Sequence, residues 1–328
     1  MNVLDFSKGV EKLVDPMMVG KTHYMQTKLS KLPVFLQRKI IKSATKKADK
    51  MPFVVEPYCT FLFYEIPDPT RIEKFMPEGF RPARTCIFEK SSSTEAKVKS
   101  NHSIDDNSGF ITNDDGKDGK YYGIVSMFRI HTSVFWGARA EYYLVAENTK
   151  TGLLSWVMMD YISDTISYDE KHGLKSPDVN AAVMTTTCEG DFVCEMETKA
   201  KDKKVNCTAS LIHSKMKKLN KRLWIEGNTS IAYGRLAGEP DGDLFSLTFF
   251  PEEMSQALDV PLNDVREYEA RTETTGNFGE VLDAVISFPF AQHMLSDSPG
   301  TKTHYGSETA LRKAVEAVRF DKIKTLAN

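Results

Sequence analysis

From residue 123 to residue 250 the chain divides into short segments rich in aromatic and β-branched residues, and most intervals between them hold only a few turn-forming residues. Strands are expected at 123–131, 139–147, 152–161, 179–188, 191–199, 203–213, 229–236 and 244–250. The runs Asn148-Thr149-Lys150-Thr151-Gly152, Glu189-Gly190-Asp191 and Lys201-Asp202-Lys203 mark turns between them. A parallel crossover needs about a dozen residues or more, so such spacing calls for antiparallel meanders.

The flanks read differently. FVVEPYCTFLFYEI, from residue 53, continues the β pattern, and PDPTRIEKFMPEGFRPA holds a short helix opened by Pro69-Thr70 and closed by Pro77 and Gly79. Residues 1–50 are lysine-rich, with helical apolar spacing at Val34, Phe35, Ile40, Ile41 and Ala44. LQRKIIKSATKKADK reads as a helix with a basic outer face, of a kind that lies on a membrane or binds a partner. Its apolar face is short, and packing on the main body is the expectation. PEEMSQALDVPLNDV reads as a short helix, EVLDAVISFPFAQHML as an apolar segment, and SETALRKAVEAVRFDKIKTLA as a terminal amphipathic helix N-capped by Ser307. The expected chain is α+β and mainly antiparallel β. A helical extension over 1–50 precedes one domain over 51–328, with a flexible polar excursion at about 90–120.

Composition narrows the function classes. A net charge of −2 over 328 residues offers no general attraction to nucleic acid. No stretch approaches the roughly 20 apolar residues of a membrane span, and the N-terminus lacks the apolar run of a signal peptide. Five cysteines without a CxxC pair suit a reduced, cytoplasmic chain. Nucleotide-binding glycine motifs, HExxH and GxSxG are absent, and the seven histidines are scattered without i,i+4 pairs. No cofactor and no metal are therefore expected.

The chemistry concentrates in residues 121–177. Arg139 and Glu141 share strand parity, whereas Ala138 and Ala140 point the other way. A charge on a strand among small and aromatic residues is costly unless paired, which suggests a pocket wall; an ion pair on a solvated sheet face is the alternative. Arg139 offers a planar fork for a carboxylate, and Glu141 an acid, a base or a partner for that arginine. Lys171 stands in a turn closed by Gly173. Folded inward, its amine would lose proton affinity through desolvation and could attack a ketone to form a Schiff base; folded outward, it is an ordinary solvated lysine.

These segments, in this order, resemble the acetoacetate decarboxylase-like superfamily. FLFYEIPDPTRIEKFMPEGFRPA is similar to the family's opening strand, short helix and PxGF-like turn. YYGIVSMFRI, ARAEYYLVAEN, GLLSWVMMDYISD and EKHGLKSP follow the order of strands that leads to the family's lysine turn. LFSLTFFPEEMSQALDVPLNDV and DAVISFPFAQHML are similar to its later segments. The resemblance covers about residues 53–296 and implies a closed, cone-like β-barrel with helices at both termini, a pocket inside it and a homo-oligomer.

It also implies a lysine nucleophile activated by a neighbouring lysine, since a second cation close by lowers the proton affinity of the first amine. Lys171 is the best match. In this chain the turn runs Ser167-Tyr168-Asp169-Glu170-Lys171-His172, so His172 stands where the second lysine would be and the family's proline is missing. Lys171, Glu141 and His172 are the candidate catalytic residues, with Arg139, Trp136, Tyr143 and Tyr168 binding a small carboxylate substrate. The expected activity is that of a decarboxylase on a small oxo acid. A lyase, hydratase or cyclase using glutamate and histidine, or a non-catalytic barrel for an apolar or aromatic ligand, are the alternatives.

Overall fold

Strand β4, Tyr122–His131, pairs with three other strands, and this closes the sheet. Along one edge it pairs with β5, Trp136–Asn148, in antiparallel register from Gly123↔Leu144 to His131↔Trp136. Its other edge is divided: β2, Cys59–Glu65, takes Tyr122 to Met127, and β1, Lys50–Val55, takes Ile130 and His131. FVVEPYCTFLFYEI is thus two strands. The chain turns at Tyr58, whose φ of 65° is left-handed and whose N–H donates to the Phe288 carbonyl at 2.5 Å.

A computed structural model describes residues 1–45, 47–89, 119–169, 172–234, 244–271, 281–297 and 305–326. Nearly all of the excursion expected at about 90–120, and the candidate nucleophile Lys171, lie outside the described residues. Within them, seven strands form a closed ring: β4, β1, β18 (Gln292–Asp297), β14 (Leu244–Phe249), β13 (Ser230–Tyr233), β6 (Leu154–Ser163), β5 and back to β4. The antiparallel expectation holds around the ring except at β13 and β6, which run parallel with Ile231 opposite Trp156. The chain between them, residues 164–229, ends in helical turns over Arg222–Thr229 and is long enough for the crossover that parallel neighbours need. From β2 the sheet continues outside the ring through β17 (Val281–Phe288), β15 (Gln256–Val260) and β12 (Lys215–Lys218). Residues 251–265, read as a helix, hold two short 3-10 turns separated by β15.

The parity of β5 sorts two cores. Ala138, Ala140 and Tyr142 face outward and pack under a second sheet of four strands, β9 (Val179–Thr186), β10 (Asp191–Thr198), β11 (Lys204–Ser210) and β16 (Val265–Arg271). Cys194 and Cys207, opposite each other on β10 and β11, are buried there as free thiols. Inside the barrel, Phe61, Trp156, Trp224 and Phe288 stack edge to face at centroid distances of 5.1–5.8 Å. Trp224 comes from the turn Arg222–Glu226, and its indole donates to the Ile87 carbonyl at 3.0 Å. This aromatic cluster fills one part of the barrel interior and forms the floor of a cavity.

Three helices precede the barrel. Helix α1, Val3–Leu13, buries Phe6, Val10 and Leu13 at helical spacing against the wall. Gly9 lets the helix approach Phe320, whose ring a Cβ there would overlap. Helix α2, Pro16–Leu29, starts with Asp15 as N-cap and buries none of its residues; α3, Val34–Thr45, buries only Gln37. Gln37 ties α3 to the hairpin of β7 (Ser167–Asp169) and β8 (Gly173–Lys175). Its Oε1 accepts from Leu174 N at 2.8 Å, and its amide donates to the carbonyls of Leu32 and Ser30. Gly173, with φ of 83° and a Cβ direction 2.5 Å from that oxygen, permits the contact.

Candidate functional site

Alternation along β5 turns Arg139, Glu141 and Tyr143 to the barrel interior, directly behind the alanines of the outer core. Arg139 Nε and Nη2 donate to Glu141 Oε1 at 2.9 and 2.8 Å, and the Tyr143 hydroxyl donates to Glu141 Oε2. The guanidinium lies 4.9 Å from the centre of the Tyr161 ring, which β6 places opposite Glu141. Burial acts against the charge of Arg139, but Glu141, with Tyr161 and Tyr143, outweighs it and raises the pKa. Burial, then Glu141, pushes up the Tyr143 hydroxyl and, from β2, the Cys59 thiol. Both therefore stay protonated at neutral pH, and Tyr143 can only be a donor to the carboxylate.

This triad occupies the wall of a cavity of about 1630 Å³. Phe53, Phe128, Met158, Tyr233, Leu247 and Met294 make much of the remaining wall, while Trp156 and Trp224 lie at the aromatic floor. At the other end the lining passes to α2 and α3 and to Ser167, Tyr168 and Leu174 of the β7–β8 hairpin. A carboxylate held by two fixed donors in such surroundings can exchange a proton with a bound molecule. The guanidinium offers a planar hydrogen-bond donor to an anionic ligand, with its charge offset by Glu141.

Of the residues singled out in the sequence, Arg139, Glu141, Tyr143 and Tyr168 line this cavity. Trp136 and His172 are not among its lining residues. Trp136 is 48% exposed, stacks on His131 at 4.3 Å and donates to Glu56 Oε1 at 3.2 Å on the outside of the barrel; His172 is exposed. Parity explains Trp136: three residues before Arg139, it faces away from it. The turn residues Glu170 and Lys171 lie outside the described residues. Tyr161 and Cys59 were missed by the sequence reading, because alternation assigns faces within a strand but gives neither the register between β5 and β6 nor the approach of β2. Among the described residues no group of three His, Cys, Asp or Glu side chains could hold a metal ion.

No protein-family model matches the sequence, and no curated protein matches it either. Among solved structures the chain is similar to the crystal structure of acetoacetate decarboxylase from Legionella pneumophila subsp. pneumophila. The TM-score is 0.44 at 9% identity, covering 75% of this chain and 84% of that one. A second acetoacetate decarboxylase structure is similar with a TM-score of 0.31 at 12% identity, over 75% of this chain and 90% of that one.

Proposed function

We propose that the barrel encloses the active site of an enzyme that transforms a small carboxylate-bearing molecule, with Glu141 as the proton-transferring group. The observation that carries this reading is the Arg139–Glu141–Tyr143 triad, buried in one wall of an otherwise largely apolar cavity. Arg139 and Tyr143 hold the carboxylate in a single orientation, and the cavity-facing side of the guanidinium attracts the substrate's anion. The sequence resemblance adds a specific chemistry. In it the Lys171 amine condenses with the carbonyl of an oxo acid and releases water. The protonated imine accepts the electron pair freed when the C–C bond to the departing CO2 breaks, and Glu141 returns a proton to carbon.

Two substitutions separate the parts of this reading. Borohydride reduction in the presence of 2- and 3-oxo acids is expected to leave a covalent adduct on Lys171. Glu141→Gln is expected to lower turnover by about a hundredfold or more, the usual scale of general acid–base catalysis. Turnover that survives Lys171→Met but not Glu141→Gln assigns the barrel to a lyase, hydratase or cyclase without an imine. Turnover that survives both sinks the proposal.

The size of the cavity favours a second reading, because about 1630 Å³ exceeds the roughly 300–1,000 Å³ of ordinary small-molecule pockets. A barrel that binds an apolar ligand without transforming it would be revealed by co-purified ligand in native mass spectrometry, with no turnover of any candidate acid.

A further inference from the structure

Helices α2 and α3 face two ways. On the inside Met18, Leu29 and Ile41 line the end of the cavity. On the outside large apolar side chains stand in solvent: Met17 is 81% exposed, Met25 68%, Phe35 67% and Tyr24 64%. The same segment, residues 16–48, holds eight Lys and Arg residues and no Asp or Glu. With the chain at −2, a segment of +8 leaves the rest of the molecule at −10. Lys21, Lys28, Lys31, Lys39 and Lys42 are all exposed.

Each half of this pattern narrows the partner. A polyanion such as RNA satisfies the lysines and can stack bases on Tyr24 and Phe35, but it gains nothing from exposed Met17 and Met25. A second copy of the segment could cover the apolar side chains, but it would bring +8 against +8. An anionic bilayer surface satisfies both, since the apolar side chains enter the acyl boundary while lysines reach the headgroups. We propose that the α2–α3 pair docks the protein on anionic phospholipid, with the mouth of the barrel cavity turned to the lipid. Tyr24, Met25 and Ile40 belong both to the cavity lining and to the exposed surface, so an apolar ligand would pass between bilayer and barrel without crossing bulk water.

Flotation of the full chain with phosphatidylcholine vesicles, with and without phosphatidylserine, tests this independently of any activity. Binding is expected only with phosphatidylserine, and it should weaken as salt rises. Lys39→Glu and Lys42→Glu should each cost about fivefold or more in affinity, the worth of one lysine at such a surface. Met25→Ser together with Phe35→Ser should cost at least about tenfold, because they remove the inserted apolar area. These positions are exposed, and unchanged circular dichroism checks the fold; the salt titration of the unaltered chain needs no variant at all. Absence of binding to phosphatidylserine vesicles overturns the proposal, and so does binding that ignores salt and lipid charge. Two further results also overturn it: full competition by RNA with the apolar variants unaffected, and a dimer dissolved by Phe35→Ser in a chain that does not float.

Discussion

At the residue scale, the Arg139–Glu141 pair is hard to explain as a source of stability. Taking two charges out of water costs several kcal/mol per ion, and a pair at 2.8 Å barely offsets that. Arg139→Ala is expected to destabilise the protein by about 3–5 kcal/mol in urea unfolding, because Glu141 keeps its burial and loses its cation. The double variant Arg139→Met/Glu141→Leu is expected to unfold at the same urea concentration as the parent or a higher one. That contrast would show that the pair adds little net stability. Glu226 behaves differently. Burial raises its pKa from 4.5 to about 7, against the opposing hydrogen bond from Leu154 N at 2.9 Å and the charge of Arg222. The folded state therefore holds a proton that the unfolded state has lost. Its stabilisation is fully present below about pH 4.5 and is lost as pH rises through about 7, by roughly 3 kcal/mol in all. Unfolding measured across that range should show the decline, and Glu226→Gln should flatten it.

At the element scale, α1 is held by apolar packing and by one titratable clamp. His293 of β18 meets Glu253 at 2.9 Å and Glu11 of α1 at 3.2 Å, and Ser7 of α1 donates to Glu253 at 2.7 Å. Burial disfavours the charged imidazole, but the two carboxylates outweigh it and raise its pKa above 6.5. The clamp is therefore complete below about pH 6.5 and weakens as pH rises through the higher folded value. Hydrogen-exchange protection of α1 should fall over that interval, after correction for intrinsic exchange, and His293→Gln should remove the change. A helical extension over 1–50 was legible in the sequence as a whole, but its division into α1 and α2 was not. α1 does carry an apolar stripe in Phe6, Val10 and Leu13, whereas α2 has nothing buried to create one; α3 was read from its spacing, although only Gln37 of it is buried.

At the scale of the whole molecule, strand β4 lends one edge to β5 and shares the other between β1 and β2, so the barrel and its external flap have a common seam. The interior is divided between an aromatic floor and a large cavity, and a ligand that fills the cavity binds only the folded chain. At a hundredfold excess over its Kd such a ligand should raise the unfolding free energy by about 2.7 kcal/mol. A thermal-shift series of apolar carboxylates is expected to identify the class. If chain length leaves the transition unmoved throughout the series, an apolar occupant is ruled out.

The amino-acid sequence by itself determined most strands of the central meander and the two faces of β5. Alternation is a property of neighbouring residues, and it was enough to place Arg139 and Glu141 on one side of β5 and Ala138 and Ala140 on the other. It was also enough for the meanders, because short turns leave few ways to connect strands. Tertiary structure alone decided which face was the inside, which strands met across the ring and how the chain ran parallel at β13 and β6. Tyr161 reached Arg139 through the register of two consecutive strands, and Cys59 the neighbourhood of Glu141 through a pairing between segments far apart in the chain. Such pairings are set by the register and burial of whole sheets, and no local pattern of residues encodes them.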